Sequence, residues 1–363
     1  MIRVGVVGAA FAGNLHAEGI VATGRAEIAG VVSATEPSRQ RFAERWKCRP
    51  YADIASMFAA ERLDAITLAM PNRFHLDAAL AAAHAGVHVI CEKPLAMNLR
   101  DADRMVRACR EADVHLLYAE QLCFAPRYVK VRELVRSGAL GDIVQVQHRE
   151  RHGGPHARWF HDPVLSGGGV LLDMGCHGIE LTRWLLDRPA ITSVHARLGV
   201  YKHLEGVVDD HALVTLAFET GTLAVIDSSW AAPGGIDERL EVLGTGGSVT
   251  ADLARGQAML VYSDVGVGYA AEKVEQTSGW TFVAHEEART WGWYGEMAHF
   301  VDCIEGRASP EVTGEDGRAV LEIVMAAYQS AAAGEVVRLP FASDANTPIE
   351  PWLHSRAEFG NRA

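Results

Sequence analysis

Several features that would place this chain in a special class are missing from its 363 residues. No apolar run is long enough to cross a membrane. The N-terminus runs directly into a strand pattern, without the charged and apolar regions of a signal peptide. There is no internal repeat and no low-complexity tract. These absences predict a globular, cytoplasmic protein with no membrane partner.

Basic charge and patterned cysteine are also scarce. The formal net charge is −12, which argues against a nucleic-acid partner and disfavours an anionic membrane surface. The six cysteines form no C-x-x-C pair, so we expect reduced, mostly buried thiols, neither a disulfide framework nor a zinc site. Hydrophobic residues make up 49% of the chain, which allows large cores, and the length suits two domains.

A glycine-rich turn follows the first predicted strand. Ile2 to Val7 is a short apolar run, and a helical stretch begins near Asn14. The turn reads G-x-G-x-x-G with alanine in the second glycine place, and at a first strand-to-helix turn it predicts a dinucleotide pyrophosphate site. A plain glycine turn is the alternative. The turn residues expected to bind cofactor are Gly8, Ala10, Phe11, Ala12 and Gly13.

The second predicted strand ends at Ser33, where an acidic residue would usually bind the ribose hydroxyls. A hydroxyl together with Arg39 or Arg41 could accept a 2′-phosphate, whereas Glu36 could still reach a 2′-hydroxyl. The sequence therefore leaves the choice between NAD and NADP open.

Strands and helices continue to alternate over some 120 residues, which predicts a doubly wound parallel sheet. Ligands of such sheets bind beyond the carboxyl ends of the strands. A lysine at a strand end is usually a solvated surface residue. Lys93, however, stands between Glu92 and Pro94 at the end of a buried strand, which favours a functional role for its side chain. The polar or rigid residues that follow predicted strands are Pro71, Asn72, His75, Glu92, Lys93 and Gln121.

The second half has period-two strands, which predict an open, mostly antiparallel sheet with helices on one face. We therefore expect a Rossmann domain at 1–122 and an α+β domain at 123–363. Apolar residues such as Leu213, Leu223 and Val225 are expected on the uncovered sheet face, which predicts an oligomer that forms through that face.

The loop that follows the first strand of this half is rich in His, Arg and Gly. His148, His152 and His156 recur every four residues, but Gly153-Gly154-Pro155 breaks any helix, so no metal site is expected. A loop that contacts a hydroxyl-rich ligand is the favoured interpretation, and a solvated basic loop is the alternative. The candidate contacts are Arg149, Arg151, His152 and Trp159.

The stretch from Gly167 to His177 joins a glycine hinge to an apolar helix. Asp173 and His177 are four residues apart, so an α-helix would place both side chains on one face. The alternative is a capping aspartate and a buried core histidine. A neutral imidazole can accept a proton near pH 7, and a carboxylate one turn away can orient it.

With these motifs, nearly the whole chain resembles the Gfo/Idh/MocA family of glucose–fructose oxidoreductases and inositol dehydrogenases. The resemblance rests on the Gly8 to Gly13 turn, Pro71-Asn72 with His75, Glu92-Lys93-Pro94, and the Gly167 to His177 stretch. It implies a Rossmann domain, an α+β domain, NAD or NADP, and chemistry on a secondary alcohol of a sugar or cyclitol.

The resemblance also implies roles for single residues. Lys93 and His177 would be catalytic, and Asp173 would hold substrate and support His177. Pro71, Asn72, His75, Glu92 and Gln121 would surround the cofactor. Three positions depart from the family pattern: Ala10 and Ser33, and Cys123, where an arginine often stands.

Two other functions remain open at this point. An enzyme that oxidises and re-reduces its substrate on a retained cofactor would carry out no net redox change, and would turn over without added cofactor. A non-catalytic, cofactor-binding regulator would typically lack Lys93 or His177, and both residues are present.

Overall fold

The computed structural model describes residues 1–155, 157–254, 259–265, 270, 274, 277–283 and 286–359. The chain forms two compact units. The first unit comprises Met1–Ala125 and Gly292–Ala319, and the second comprises Pro126–Trp291 and Val320–Ala363. Residues 292–319 group with the first unit, whereas the domain boundaries predicted from the sequence assign them to 123–363.

The first unit contains a six-stranded parallel sheet in the order β3-β2-β1-β4-β5-β6. This is the doubly wound sheet that the strand–helix alternation predicts. Its strands are β1 (Ile2–Val7), β2 (Ala26–Val32), β3 (Arg49–Tyr51), β4 (Ala65–Leu68), β5 (His88–Glu92) and β6 (Leu116–Ala119). Its helices are α1 (Phe11–Ala22), α2 (Glu36–Trp46), α3 (Ile54–Ala60), α4 (His75–His84), α5 (Leu99–Glu111) and α10 (Trp293–Ile304).

Helix α10 explains why a distant segment joins the first unit. Its buried residues Met297, Phe300 and Val301 follow a helical repeat and share one apolar cluster with Val4 and Ile20. The packing is close, because a Cβ on Gly19 of α1 would lie 2.8 Å from Cγ of Met297. Local periodicity predicts such a helix, but it does not show which core the helix joins.

The second unit is built on a seven-stranded sheet in the order β12-β11-β7-β10-β9-β8-β15. Only the β7–β10 pair is parallel among its described pairings. Its strands are β7 (Ile143–Arg151), β8 (Ile191–Gly199), β9 (His211–Phe218), β10 (Leu223–Ser229), β11 (Asp237–Gly244), β12 (Ser248–Asp252) and β15 (Val337–Arg338). The remaining helices are α6 (Pro126–Arg136), α7 (Pro163–Ser166), α8 (Cys176–Leu185), α9 (Glu287–Thr290), α11 (Gly314–Ala333) and α12 (Glu350–Phe359).

One face of this sheet is covered and the other is open. Along β9, Ala212, Val214 and Leu216 are buried, whereas Leu213 and Thr215 between them are exposed. This period of two is the pattern of a half-covered antiparallel sheet. The predicted fold class, a Rossmann-type sheet plus an α+β unit with a large, mostly antiparallel sheet, is confirmed.

Two further segments of the second unit lie apart from its seven-stranded sheet. Strand β13 (Met259–Ser263) pairs with β14 (Gly279–Val283) in a separate two-stranded sheet. The polar C-terminal tail contains α12, which begins beside the buried Ile349 and buries Trp352. No described helix is long and apolar enough to cross a membrane.

Candidate active site

The turn after β1 has no room for side chains at two positions. Gly8 has a φ of +114°, and a Cβ on it would lie 2.1 Å from the carbonyl oxygen of Ala69. A Cβ on Gly13 would lie 1.9 Å from the carbonyl oxygen of Gly8. Ala10, which precedes α1, offers no side-chain acceptor to the first N–H groups of the helix. The helix N-terminus therefore suits an external anion such as a pyrophosphate.

The end of β2 carries a hydroxyl and a guanidinium. Ser33 directly follows β2, and Nη1 of Arg39 donates a 3.4 Å hydrogen bond to the carbonyl oxygen of Ser33. Glu36, the first residue of α2, is exposed. The groups that could bind a ribose hydroxyl or a 2′-phosphate thus follow the same strand, and their arrangement favours neither cofactor.

Other predicted cofactor residues follow β4 and β6. Pro71 precedes a 3₁₀ turn that starts at Asn72, and another 3₁₀ turn starts at Gln121. Asn72 and Gln121 are buried, with exposed fractions of 5% and 6%. The structure therefore places both amides at the carboxyl edge of the parallel sheet, where ligands of such sheets bind.

His75 connects two loops of this edge. The side chain is fully buried, with Nε2 at 3.0 Å from the carbonyl oxygen of Met70 and Nδ1 at 3.1 Å from that of Pro94. Burial lowers the pKa of His75, although its carbonyl contacts act in the opposite direction. The imidazole thus joins the loop after β4 to the loop that contains Lys93.

Glu92 closes β5 and contacts α1. Nε2 of His16 lies 3.0 Å from Oε1 of Glu92, and Nδ1 of His16 lies 2.5 Å from Oγ1 of Thr67. Oε2 of Glu92 accepts a 3.1 Å hydrogen bond from the backbone N–H of Lys93. The sequence analysis did not predict a role for His16. A polar residue on the buried face of the helix after the glycine turn is the feature that could have indicated it.

A second carboxyl group, that of Glu296, interacts with Glu92. Glu296 of α10 is fully buried, and neither of its carboxyl oxygens has a hydrogen-bond partner among the described residues. Burial, followed by the charges of Glu92 and Glu120, raises the pKa of Glu296 well above its usual value. These surroundings therefore favour the protonated, neutral form of Glu296, which sequence reasoning did not predict.

In the second unit, Asp173 lies in a π-helical turn rather than in a regular α-helix. The π turn spans Leu171–Gly175, and α8 starts at Cys176, so His177 is in its first turn. The expected straight α-helix is therefore wrong over this segment. Asp173 and His177 are both buried, with exposed fractions of 8% and 4%. Single π turns within helices occur frequently at functional sites.

Trp230 holds the carboxylate of Asp173. Its Nε1 donates a 3.2 Å hydrogen bond to Oδ2 of Asp173, and its ring is fully buried. Phe160 meets the Trp230 ring edge-on, and Trp159 stacks on Phe160 with ring centroids 3.9 Å apart. The predicted contact Trp159 is thus linked to Asp173 through aromatic packing. Sequence reasoning missed Trp230, because it follows a strand far from the glycine hinge.

The described histidines on and directly after strand β7 have structural partners. Nε2 of His148 lies 2.8 Å from Oε1 of Glu238, and its Nδ1 would lie 2.6 Å from a Cβ on Gly178 of α8. His152 is fully buried, and its Nδ1 accepts a 3.1 Å hydrogen bond from the N–H of Gly154. His156 lies outside the described residues. The described residues include no group of three or more His, Cys, Asp or Glu side chains that could hold a metal ion.

The structure does not bring Arg149 together with Asp173. His148 faces α8, and successive side chains of a strand point to opposite faces, so Arg149 lies on the open face of the sheet. There its Nε lies 3.7 Å from Oδ2 of Asp227, which also pairs with Arg151. The four predicted loop contacts therefore lie in different environments. His152 is buried, Trp159 packs on Phe160, and the two arginines lie on the open face of the sheet.

Each of the two units contains a segment that matches the model of a known protein family. Residues 2–120 match the model of the oxidoreductase family with an NAD-binding Rossmann fold, and residues 128–250 match the GFO/IDH/MocA C-terminal domain. The chain is 29% identical to myo-inositol 2-dehydrogenase of Thermotoga maritima, over 91% of this chain and 96% of that protein. It is 27% identical to D-glucoside 3-dehydrogenase of Escherichia coli, over 93% and 97%.

A solved structure is also similar. GenD2 from gentamicin A biosynthesis, crystallised in complex with NAD, superposes with a TM-score of 0.89 at 33% identity, over 94% of this chain and 97% of that one. The first unit is thus an NAD-binding Rossmann unit, and the relatives from Thermotoga maritima and Escherichia coli are dehydrogenases. The chain belongs to the Gfo/Idh/MocA family of oxidoreductases.

Proposed function

We propose that this protein oxidises a secondary alcohol of a sugar, sugar derivative or cyclitol, or reduces the corresponding ketone, with NAD or NADP. The observation that carries the proposal is the buried carboxylate of Asp173, held by Trp230 in a π turn directly before the helix of His177. An acid and an imidazole in adjoining buried turns suit proton transfer better than a hydrophobic core. The names of the relatives support the substrate class.

The chain's own residues divide the chemistry. His177 takes the hydroxyl proton, since a neutral imidazole is a suitable base near pH 7. Asp173 orients the imidazole and stabilises its protonated form. The ammonium of Lys93 stabilises the developing alkoxide charge. NAD or NADP, held by the turn from Gly8 to Gly13, would supply the hydride acceptor for the oxidation.

We assign cofactor binding to the carboxyl edge of the parallel sheet. The turn from Gly8 to Gly13 fits a pyrophosphate, because two of its positions admit no Cβ. The fully buried His75 supports the loops around it. The further residues proposed to contact cofactor are Ser33, Pro71, Asn72, Glu92, Lys93 and Gln121.

We assign substrate binding to Lys93, Asp173, His177 and Trp159. The buried His152 shapes its own loop, and Arg149 on the open sheet face is a weaker candidate because Asp227 already pairs with it. The cytoplasm, where thiols stay reduced, suits the six cysteines, all of which are free.

We also propose that the protein is a homodimer or homotetramer through the open face of the second unit's sheet. Leu213, Leu223 and Leu243 on this face have exposed fractions of 40%, 54% and 48%. Apolar side chains exposed on one face of a sheet often mark an interface. Light scattering at micromolar concentration should give a multiple of the chain mass, and a monomer mass would contradict the proposal.

A substrate panel tests the proposed reaction. Myo-inositol, a methyl D-glucoside and a gentamicin-type aminoglycoside are each incubated with NAD and with NADP, and reduced nicotinamide is followed by absorbance. We expect at least one ring alcohol to be oxidised by the wild type, with turnover reduced about 100-fold or more in His177→Ala. Equal turnover in both proteins would contradict the assigned base.

A further inference from the structure

We propose that Asp209 positions the site by holding the backbone of the turn that carries Asp173. Asp209 lies in the loop before β9, forty residues after Gly169, and is fully buried. The proposal rests on the proposed catalytic roles of Asp173 and His177. Asp209 acts through these residues and takes no part in proton transfer.

One residue satisfies three successive N–H groups at the start of this helical segment. Oδ1 of Asp209 accepts from the N–H of Gly169 at 3.1 Å, and Oδ2 accepts from that of Leu171 at 2.8 Å. The backbone carbonyl of Asp209 accepts from the N–H of Val170 at 2.9 Å. The first N–H groups of a helix have no partner within it, and a carboxylate there also interacts favourably with the helix dipole. Asp209 therefore acts as an N-terminal cap supplied by a distant segment.

Tyr328 of α11 holds the carboxylate in place. Its hydroxyl donates a 2.7 Å hydrogen bond to Oδ1 of Asp209 and lies 3.0 Å from the backbone nitrogen of Gly169. A Cβ on Gly168 would lie 2.5 Å from that hydroxyl, and one on Gly169 would lie 2.1 Å from the carbonyl oxygen of Asp209. These contacts explain why two glycines precede the π turn, since no side chain fits beside Asp209 and Tyr328.

The neighbouring Asp210 reaches Asp173 by a second route. Its backbone carbonyl accepts a 2.8 Å hydrogen bond from the N–H of Trp230, whose Nε1 donates to Asp173. Its carboxylate accepts hydrogen bonds from the N–H groups of Lys202 and His203, at 2.7 and 2.8 Å. Two adjacent buried aspartates thus fix both the backbone that bears Asp173 and the indole that binds its carboxylate.

The experiment compares Asp209→Asn and Tyr328→Phe with Ser330→Ala. Ser330 is a matched control, because it lies on the same helix as Tyr328, is fully buried, and hydrogen-bonds Ala196 and Glu335 rather than the turn. We expect kcat to fall about 100-fold in Asp209→Asn, because a displacement of a catalytic group by about 1 Å has an effect of that size. In Tyr328→Phe we expect a fall of about 10-fold. The affinity for NAD should stay within about 2-fold in both variants, and Ser330→Ala should keep its kcat.

A double mutant separates positioning from loss of fold. In a His177→Ala background, Asp209→Asn should cause little further loss of kcat, because Asp173, which Asp209 positions, acts through the imidazole that is already gone. If Asp209→Asn does not fold, Tyr328→Phe decides the question in the same background. Additive losses, or a wild-type kcat in a folded Asp209→Asn or Tyr328→Phe protein, would overturn this inference. A wild-type kcat in His177→Ala alone would instead overturn the proposed function.

Discussion

Replacing Gly13 with alanine should remove most of the affinity for NAD while the first unit stays folded. The added Cβ would lie 1.9 Å from the carbonyl oxygen of Gly8, a backbone atom that no side-chain rotation can move. Real Cβ atoms essentially never approach closer than 3.0 Å, so the turn and α1 must separate by about 1 Å. This overpacking costs about 1–3 kcal/mol of stability.

The same displacement moves the N–H groups that would bind the pyrophosphate. Loss of one hydrogen bond to a charged group costs about 1.5–3 kcal/mol, which is a fall in affinity of about 10- to 100-fold. Titration calorimetry with NAD measures the affinity, and thermal unfolding measures the stability of the same sample.

Gly19→Ala is the matched control on the same helix. Its Cβ would lie 2.8 Å from Cγ of Met297, a flexible side chain, and 3.0 Å from the carbonyl oxygen of Trp293. It should therefore lower the melting temperature by a similar amount and leave NAD affinity unchanged. An affinity for NAD in Gly13→Ala equal to that of Gly19→Ala would refute the assignment of the glycine turn to the cofactor.

Three further predictions concern charge. Ser33→Asp should weaken NADP binding far more than NAD binding, by repulsion of the 2′-phosphate, and calorimetry giving equal effects would exclude a phosphate site there. Burial raises the pKa of Asp209 from 3.8 to about 6, so the stability of the wild type relative to Asp209→Asn, measured by urea unfolding, should fall by up to about 3 kcal/mol as pH rises from about 4 to about 6, and a difference that stays constant would contradict the raised pKa. The pKa of Glu296 is raised well above 4.5 by burial, so the stability of the wild type relative to the permanently neutral Glu296→Gln should also fall as pH rises beyond about 5, and a difference in melting temperature that does not change with pH would contradict the raised pKa.

The regular parts of the fold could be predicted from local patterns. Buried strand runs such as β1, the period-two alternation along β9 and the glycine turn after β1 are each encoded within a few residues. The membership of α10 in the first unit could not be predicted in the same way, since its apolar face fits any core. The separate β13–β14 sheet depends on pairing across a long interval, which periodicity does not report.

The residues of the candidate site likewise differ in whether local sequence predicts them. Asp173 and His177 are recognisable because an acid and an imidazole stand close together in an apolar helix. Their supporting residues Trp230, Asp209 and Tyr328 lie 57, 40 and 159 positions from the groups they contact. In the sequence, only Gly168 and Gly169 indicate that another segment packs closely here, and they do not identify that segment. The π turn also depends on packing, so the spacing of Asp173 and His177 in the sequence does not predict it.

The measurement that most directly tests the central claim is the pH dependence of kcat for alcohol oxidation in the wild type and in His177→Ala. In the wild type, the rate should rise with pH through the titration of a single group near neutrality, since the neutral imidazole is the proton acceptor. In His177→Ala, that limb should vanish and turnover should fall about 100-fold or more, with NAD affinity unchanged. A near-normal turnover with the same pH profile would show that His177 is a packed core residue and not the base.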